Sequence, residues 1–404
     1  MSEFTNKKEK RVEAFADFTE RLIRGEKGRK LMEEYAILFD TLVPADIITA
    51  VDLLFRKEIP LEKLKTGLNK MLNLFQLRIK AYPALDPPAG SFADLLRRNN
   101  AELKKKLAVL RTKNTEINRD PSRQEEMIPE LLEGFRDVER FVTVYEIKEN
   151  ILFPVLEREW DDWRCVQVMW SYHDDIRREL KGVIAELEHK PFDLKAFNKW
   201  IGDLYFNMHT IIFRDDHILI PVMLERLPGE VLEAMNEEAR AMTFPYVQPR
   251  SRKSARSGAG SGGEHPPVDL GTGRLSPERI ALLFNHLPVD ITYVDENDEV
   301  RFFSTPKKRI FPRSISIIGR KVQNCHPPDS VHIVERIVEA FRKGEKDEAT
   351  FWIPHRGEFL LIRYFAVRDT DGTYRGVLEV TQEISKLREL KGEKRLLDWE
   401  EKKS

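Results

Sequence analysis

The chain has 404 residues, 41% of them hydrophobic and 33% charged, with a formal net charge of −1. That length allows two or three domains, and the near-neutral balance excludes a chain built as a whole to attract nucleic acid or an anionic membrane. Two cysteines, Cys165 and Cys325, exclude a disulfide framework; with no apolar signal-peptide core at the N-terminus and no run long enough for a bilayer, a cytoplasmic protein is expected.

Residues 1–85 read as short helices. "RKLMEEYAILF" and "PLEKLKTGLNKMLNLFQLRI" place apolar residues three and four apart. "YPALDPPAG" then breaks the pattern with prolines and a glycine. Residues 91–228 read as a bundle of four longer helices. The first carries Phe92, Leu96, Leu103, Leu107 and Leu110 on one stripe, and the second is expected from about Glu126 to Arg158. The third has a seam of Met169, His173, Ile176, Leu180, Val183 and Leu187, and the fourth starts near Asp193.

Residues 245–269 hold "PRSRKSARSGAGSGG", a stretch with almost no apolar side chains that reads as a flexible linker by composition. Residues 270–385 change grammar. "VDITYVD", "VRFFS", "EATFWI", "FLLIRYFAV" and "YRGVLEVTQ" are strand-like, and "DSVHIVERIVEAFRKG" is helical, which gives a small α+β domain. Ile291, Val294, Phe302, Phe351, Ile362, Phe365 and Val377 are its expected core. Residues 386–404 extend the chain as a helical tail.

One phrase is written twice: "ENILFPVLER" from Glu149 and "DHILIPVMLER" from Asp216, 67 residues apart. Each places a carboxylate five residues before a proline within an apolar helical pattern. Glu149 shares a face with Tyr145, Asp216 shares one with His209, and His173 lies in the seam of the third helix. A buried carboxylate needs a partner, and these residues admit two readings. Carboxylates and an imidazole from three helices are the donor set of a metal site. Alternatively, Glu149 and Asp216 form interhelical ion pairs with Lys148, Arg177 or Arg214, with His173 a core histidine and His209 and His217 surface residues.

"YEIKENILFPVLER", "VMWSYHDDIRREL" and "FRDDHILIPVMLERL" resemble the hemerythrin-like cation-binding bundle in the form found in the DUF438 family. "LPVDITYVDENDEVRFFS", "RIFPRSISIIGRKVQNCHPPDSVHIVERIV" and "RYFAVRDTDGTYRGVLEVTQEI" resemble that family's C-terminal PAS domain. The resemblance covers almost the whole chain. It implies an all-α N-terminal region and hemerythrin-like four-helix bundle, followed by an α+β PAS domain, in a sensory or regulatory protein. It also implies non-haem iron or another divalent cation at Glu149, His173 and Asp216, with His209 and Tyr145 nearby. Two positions depart from the family pattern, where Asp94 and Val144 stand in place of histidines.

In the PAS-like segment, the resemblance offers Cys325, His326 and His332 as cofactor ligands, including haem ligation by a helix histidine. Against this, His-Pro before that helix is a common turn, and His332 lies off the Val331–Val334–Val338–Phe341 stripe. No nucleophile elbow, P-loop or zinc-spaced cysteine pair is present. The expectation is a non-enzymatic sensor that homo-oligomerises through the PAS domain or C-terminal helix. Its output passes through a protein partner, and nucleic acid and membrane are not expected as partners. The alternatives are an oxygen- or nitric-oxide-handling metalloprotein or a cofactor-free scaffold.

Overall fold

The computed structural model describes residues 2–39, 41–249, 265–328 and 330–393. Most of the expected linker and residues 394–404 of the expected tail lie outside the described residues. The described part of the tail holds a 3-10 turn, Leu387–Glu389, rather than an α-helix. The chain divides into two compact units, one helical and one built on a sheet.

The helical unit begins with α1 (Ser2–Ile23), α2 (Gly28–Glu34), α3 (Ala36–Phe39), α4 (Pro44–Phe55) and α5 (Leu61–Lys80). Their apolar stripes meet ring on ring, with centroids 4.8 Å apart for Phe39 and Phe75 and 5.2 Å for Phe18 and Phe39. Next come α6 (Phe92–Arg119), α7 (Gln124–Glu139), α8 (Val142–Ile147), α9 (Phe153–Glu159), α10 (Cys165–Glu188), α11 (Leu194–Arg214), α12 (Ile220–Arg226) and α13 (Gly229–Arg240). The stripes read on α6 and α10 are buried at every named position, His173 included. One hydrophobic core runs from Val12 to Phe244, so residues on both sides of the proline-rich break share it.

The helix expected to be continuous from Glu126 to Arg158 is broken between α7 and α8. It is then widened by a π-helical turn, Lys148–Leu152, before α9. A second π turn, Asp215–Leu219, separates α11 from α12. Asp94, where the resemblance implied a histidine, supports the helix N-cap Ser91. Ser91 Oγ accepts the Asp94 N–H at 3.2 Å and the Asp94 carboxylate accepts the Gly90 N–H at 2.8 Å.

The second unit opens with a small hairpin, β1 (Val268–Asp269) and β2 (Arg274–Leu275), and helix α14 (Pro277–His286); neither was expected. Then follow β3 (Asp290–Asp295), β4 (Val300–Phe303), α15 (Val331–Arg342), β5 (Glu348–His355), β6 (Glu358–Arg368) and β7 (Tyr374–Glu383). They form one antiparallel five-stranded sheet in the order β4-β3-β7-β6-β5. Arg356 and Gly357 turn β5 into β6 with φ of +50° and +80°, the two-residue hairpin geometry that suits strand twist.

The expected core of this unit is corrected in part. Ile291, Val294 and Val377 are buried, but Phe302, Ile362 and Phe365 are half-buried and Phe351 is exposed. The period of two along β6 places Phe365 on the opposite face from buried Leu360, and the Arg363 guanidinium covers its ring at 5.3 Å.

Candidate functional site

The repeated phrase builds the site. A proline lacks the N–H that would bond the carbonyl four residues earlier, and its ring crowds that carbonyl. Pro154 and Pro221 are each the second residue after a π turn. The Phe153 N–H reaches back five residues to the Lys148 carbonyl, and the Ile220 N–H does the same to Asp215. The extra residue widens the turn and lets consecutive side chains face inward. Lys148 and Glu149 are therefore both buried, as is Asp215 in the second copy.

Lys148 and Asp215 hold equivalent places in the two copies and bond each other. The Lys148 ammonium donates to Asp215 Oδ1 at 2.7 Å and Oδ2 at 2.8 Å, with both side chains at most 2% exposed. Its Nζ also lies 3.4 Å from His173 Nε2. On the other side of the ring, His173 Nδ1 is 2.8 Å from Glu149 Oε1. Because an ammonium only donates, Nε2 is the acceptor, and Nδ1 carries the proton given to Glu149. Arg177, one turn along α10, donates to both Glu149 oxygens at 2.8 and 2.7 Å. Tyr145 stacks on the imidazole with centroids 4.3 Å apart, and Phe153 stacks at 5.6 Å.

Two cations and two carboxylates thus surround a neutral imidazole. Burial, then the Lys148 and Arg177 charges, hold His173 well below its ordinary value. Burial pushes the Asp215 carboxyl up against the pull of Lys148, and pushes the Tyr145 hydroxyl well above its ordinary range. That hydroxyl is buried with no hydrogen-bond partner among the described residues.

The sign of the pH dependence follows. The unfolded chain protonates His173 below its ordinary value of 6.5, while the folded chain does not. Stability from this group is complete above that pH and declines below it by up to about 1.4 kcal/mol per pH unit. Urea unfolding across the mildly acidic range is expected to show this slope, reduced in His173→Gln. An equal slope in both proteins would assign it to other groups.

Of the five residues expected around a metal, Glu149, His173 and Tyr145 come together. Asp216 does not join them: it accepts from Asn100 Nδ2 at 2.9 Å and from Lys104 Nζ at 2.7 Å, both on α6. His209 lies in a surface groove with Tyr205 and Phe206. Among the described residues, no three His, Cys, Asp or Glu side chains are grouped to hold a metal ion. The donors present are engaged: Glu149 by Arg177 and His173, Asp215 by Lys148. The Glu149–Arg177 ion pair was among the sequence alternatives. The Lys148–Asp215 pair was missed, although the offset of the repeat superposes a lysine on an aspartate there.

His332 is exposed on α15 of the second unit, while Cys325 and His326, which group with the first unit, are half-buried. Cys165 and Cys325 are both free of disulfides. In the second unit, the buried face of the sheet is polar around Asp290, which accepts the Ile310 and Phe311 N–H groups at 2.8 and 3.3 Å, and Thr292, which accepts from Arg309 at 3.2 Å. Those residues were hidden in strand-like runs and carried no motif.

A family model described as a PAS domain matches residues 280–385. Three solved structures are similar to parts of the chain. One is a C-terminal domain from Streptococcus mutans, 35% identical over 31% of this chain and 97% of that one, with a TM-score of 0.30. A PAS domain from Colwellia psychrerythraea is 17% identical over 27% of this chain and 97% of that one, with a TM-score of 0.22. A sensory box sensor histidine kinase from Vibrio cholerae is 14% identical over 26% and 90%, with a TM-score of 0.21. No curated protein matches the chain. Among the described residues, no helix is long and apolar enough to cross a membrane.

Proposed function

Because residues 280–385 are a PAS domain, we propose that this chain is a sensory or regulatory protein that works by pairing with a second copy of itself. The observation that carries the reading is the apolar surface of the second unit. Helix α14 buries none of its residues. Leu282, Leu283, Phe284 and Leu287 are exposed there, as are Phe351, Trp352 and Ile353 on the edge strand β5. Exposed apolar side chains clustered on one helix mark an interaction face, and an edge strand left open, as β5 is, invites pairing.

For the helical unit we infer kinship with the hemerythrin-like bundles of the DUF438 family, on the twice-written phrase and the seam His173. The interior cation of this bundle is the Lys148 ammonium. It takes both oxygens of Asp215 and the Nε2 of His173, the contacts a metal ion would otherwise require. This supports a regulatory scaffold over an oxygen- or nitric-oxide-handling metalloprotein, and we assign no catalytic residue.

Sedimentation of the full chain is expected to show a dimer that Leu283→Glu/Trp352→Glu converts to monomer. A wild-type monomer at micromolar concentration would overturn the pairing. Protein expressed with iron, manganese or zinc and dialysed against a mild chelator is expected to carry no stoichiometric metal. Stoichiometric metal that is lost in Glu149→Ala would restore the metalloprotein reading.

A further inference from the structure

Where α5, α10 and α11 meet, the helical unit has a polar groove of about 360 Å³. It shares no residue with the Lys148–His173 network. The groove's cations are already engaged. Lys65, buried on α5, bonds Asp175, Glu62 and Ser171. Arg178 on α10 bonds the second oxygen of Asp175 at 2.5 Å.

Two carboxylates remain without an ion pair among the described residues. Asp203 is exposed on α11. Glu179 on α10 is only 5% exposed. Its Oε1 accepts from Asn207 Nδ2 at 2.7 Å, while its Oε2 is buried with no hydrogen-bond partner among the described residues. A buried polar atom left unmatched is costly, and such atoms in a folded protein call for an explanation. Beside these carboxylates, the Phe206 ring is 48% exposed at the groove.

We propose that this groove binds a small organic cation, an alkylammonium or guanidinium group, whose N–H donors reach Glu179 Oε2 and Asp203 and whose carbon atoms lie against Phe206. An N–H donor satisfies the unmatched oxygen, the positive charge balances two carboxylates, and an aromatic ring beside an ammonium adds attraction. An anion fits poorly, because Lys65 and Arg178 are both committed to Asp175. The proton balance of Glu179 agrees. Burial, with Asp175 and Asp203 nearby, pushes its carboxyl up to about 7 against the Asn207 hydrogen bond and the Arg178 charge. The carboxyl is therefore half-charged near neutrality, and a bound cation draws off the remaining proton.

The test is calorimetric titration of the full chain at pH 8 with n-butylammonium chloride, with sodium butyrate as the charge-reversed control. Saturable binding of one butylammonium per chain is expected, with no heat of binding from butyrate. Glu179→Gln is expected to weaken binding at least about tenfold, as loss of one charge-assisted contact does. Asp203→Asn, at an exposed position that leaves the core untouched, is expected to weaken it less, and decides the matter if Glu179→Gln fails to fold. Absence of saturable binding, or affinity unchanged in every folded variant, would overturn the proposal.

Discussion

Asp215→Ala is expected to destabilise the helical unit by about 3–5 kcal/mol, because it strands the Lys148 ammonium in a dry interior. Lys148 has no exposed surface, and its contacts are the two Asp215 oxygens at 2.7 and 2.8 Å and the His173 nitrogen at 3.4 Å. Once the carboxylate is gone, one ring nitrogen faces a full charge. The double change Lys148→Met/Asp215→Leu removes both charges and keeps much of the volume. It is expected to recover most of the loss, since well-packed apolar pairs often replace buried ion pairs without penalty. Urea unfolding of the three proteins makes the comparison. A loss below about 1 kcal/mol for Asp215→Ala would mean that water reaches Lys148, in the range usual for solvated pairs.

Gly376→Ala is expected to disrupt the sheet of the second unit, at a cost above about 4 kcal/mol. Gly376 lies on β7 opposite Asp295 of β3, with φ of +130°, a region that side chains rarely enter. A Cβ there would meet the Val294 carbonyl oxygen at 2.0 Å and the Asp295 Cα at 2.9 Å. Both atoms belong to the backbone of the paired strand, so no rotamer change relieves the clash. Trypsin is expected to digest residues 265–393 rapidly in this variant while the helical unit persists. Wild-type resistance across the sheet would mean that β3 and β7 shift register at little cost.

From the amino-acid sequence alone came the division into a helix-rich N-terminal part and a strand-rich C-terminal part. Runs rich in β-branched and aromatic residues located the five strands of the large sheet, and the stripe on α10 placed His173 in the interior. Local patterning suffices for such features because strand and helix periods are set by the backbone. The repeated phrase also announced itself, and burial of Glu149 followed from its place in an apolar pattern. Helix α14 escaped because most of its apolar residues stay exposed, with only the Phe284 ring set against Phe302 of β4, and the β1–β2 hairpin is too short to carry a period. Phe365 was misjudged because alternation assigns a residue to one of two faces without saying which face is covered. The partners of the buried charges were settled only by tertiary structure. Glu149 and Asp216 occupy equivalent positions in the two copies, yet one meets Arg177 and His173 while the other meets Asn100 and Lys104. The Lys148–Asp215 pair requires two π turns to converge from segments 67 residues apart. A helical period of 3.6 tells which residues share a face on one helix; the widened turns change those faces, and only packing brings the two together.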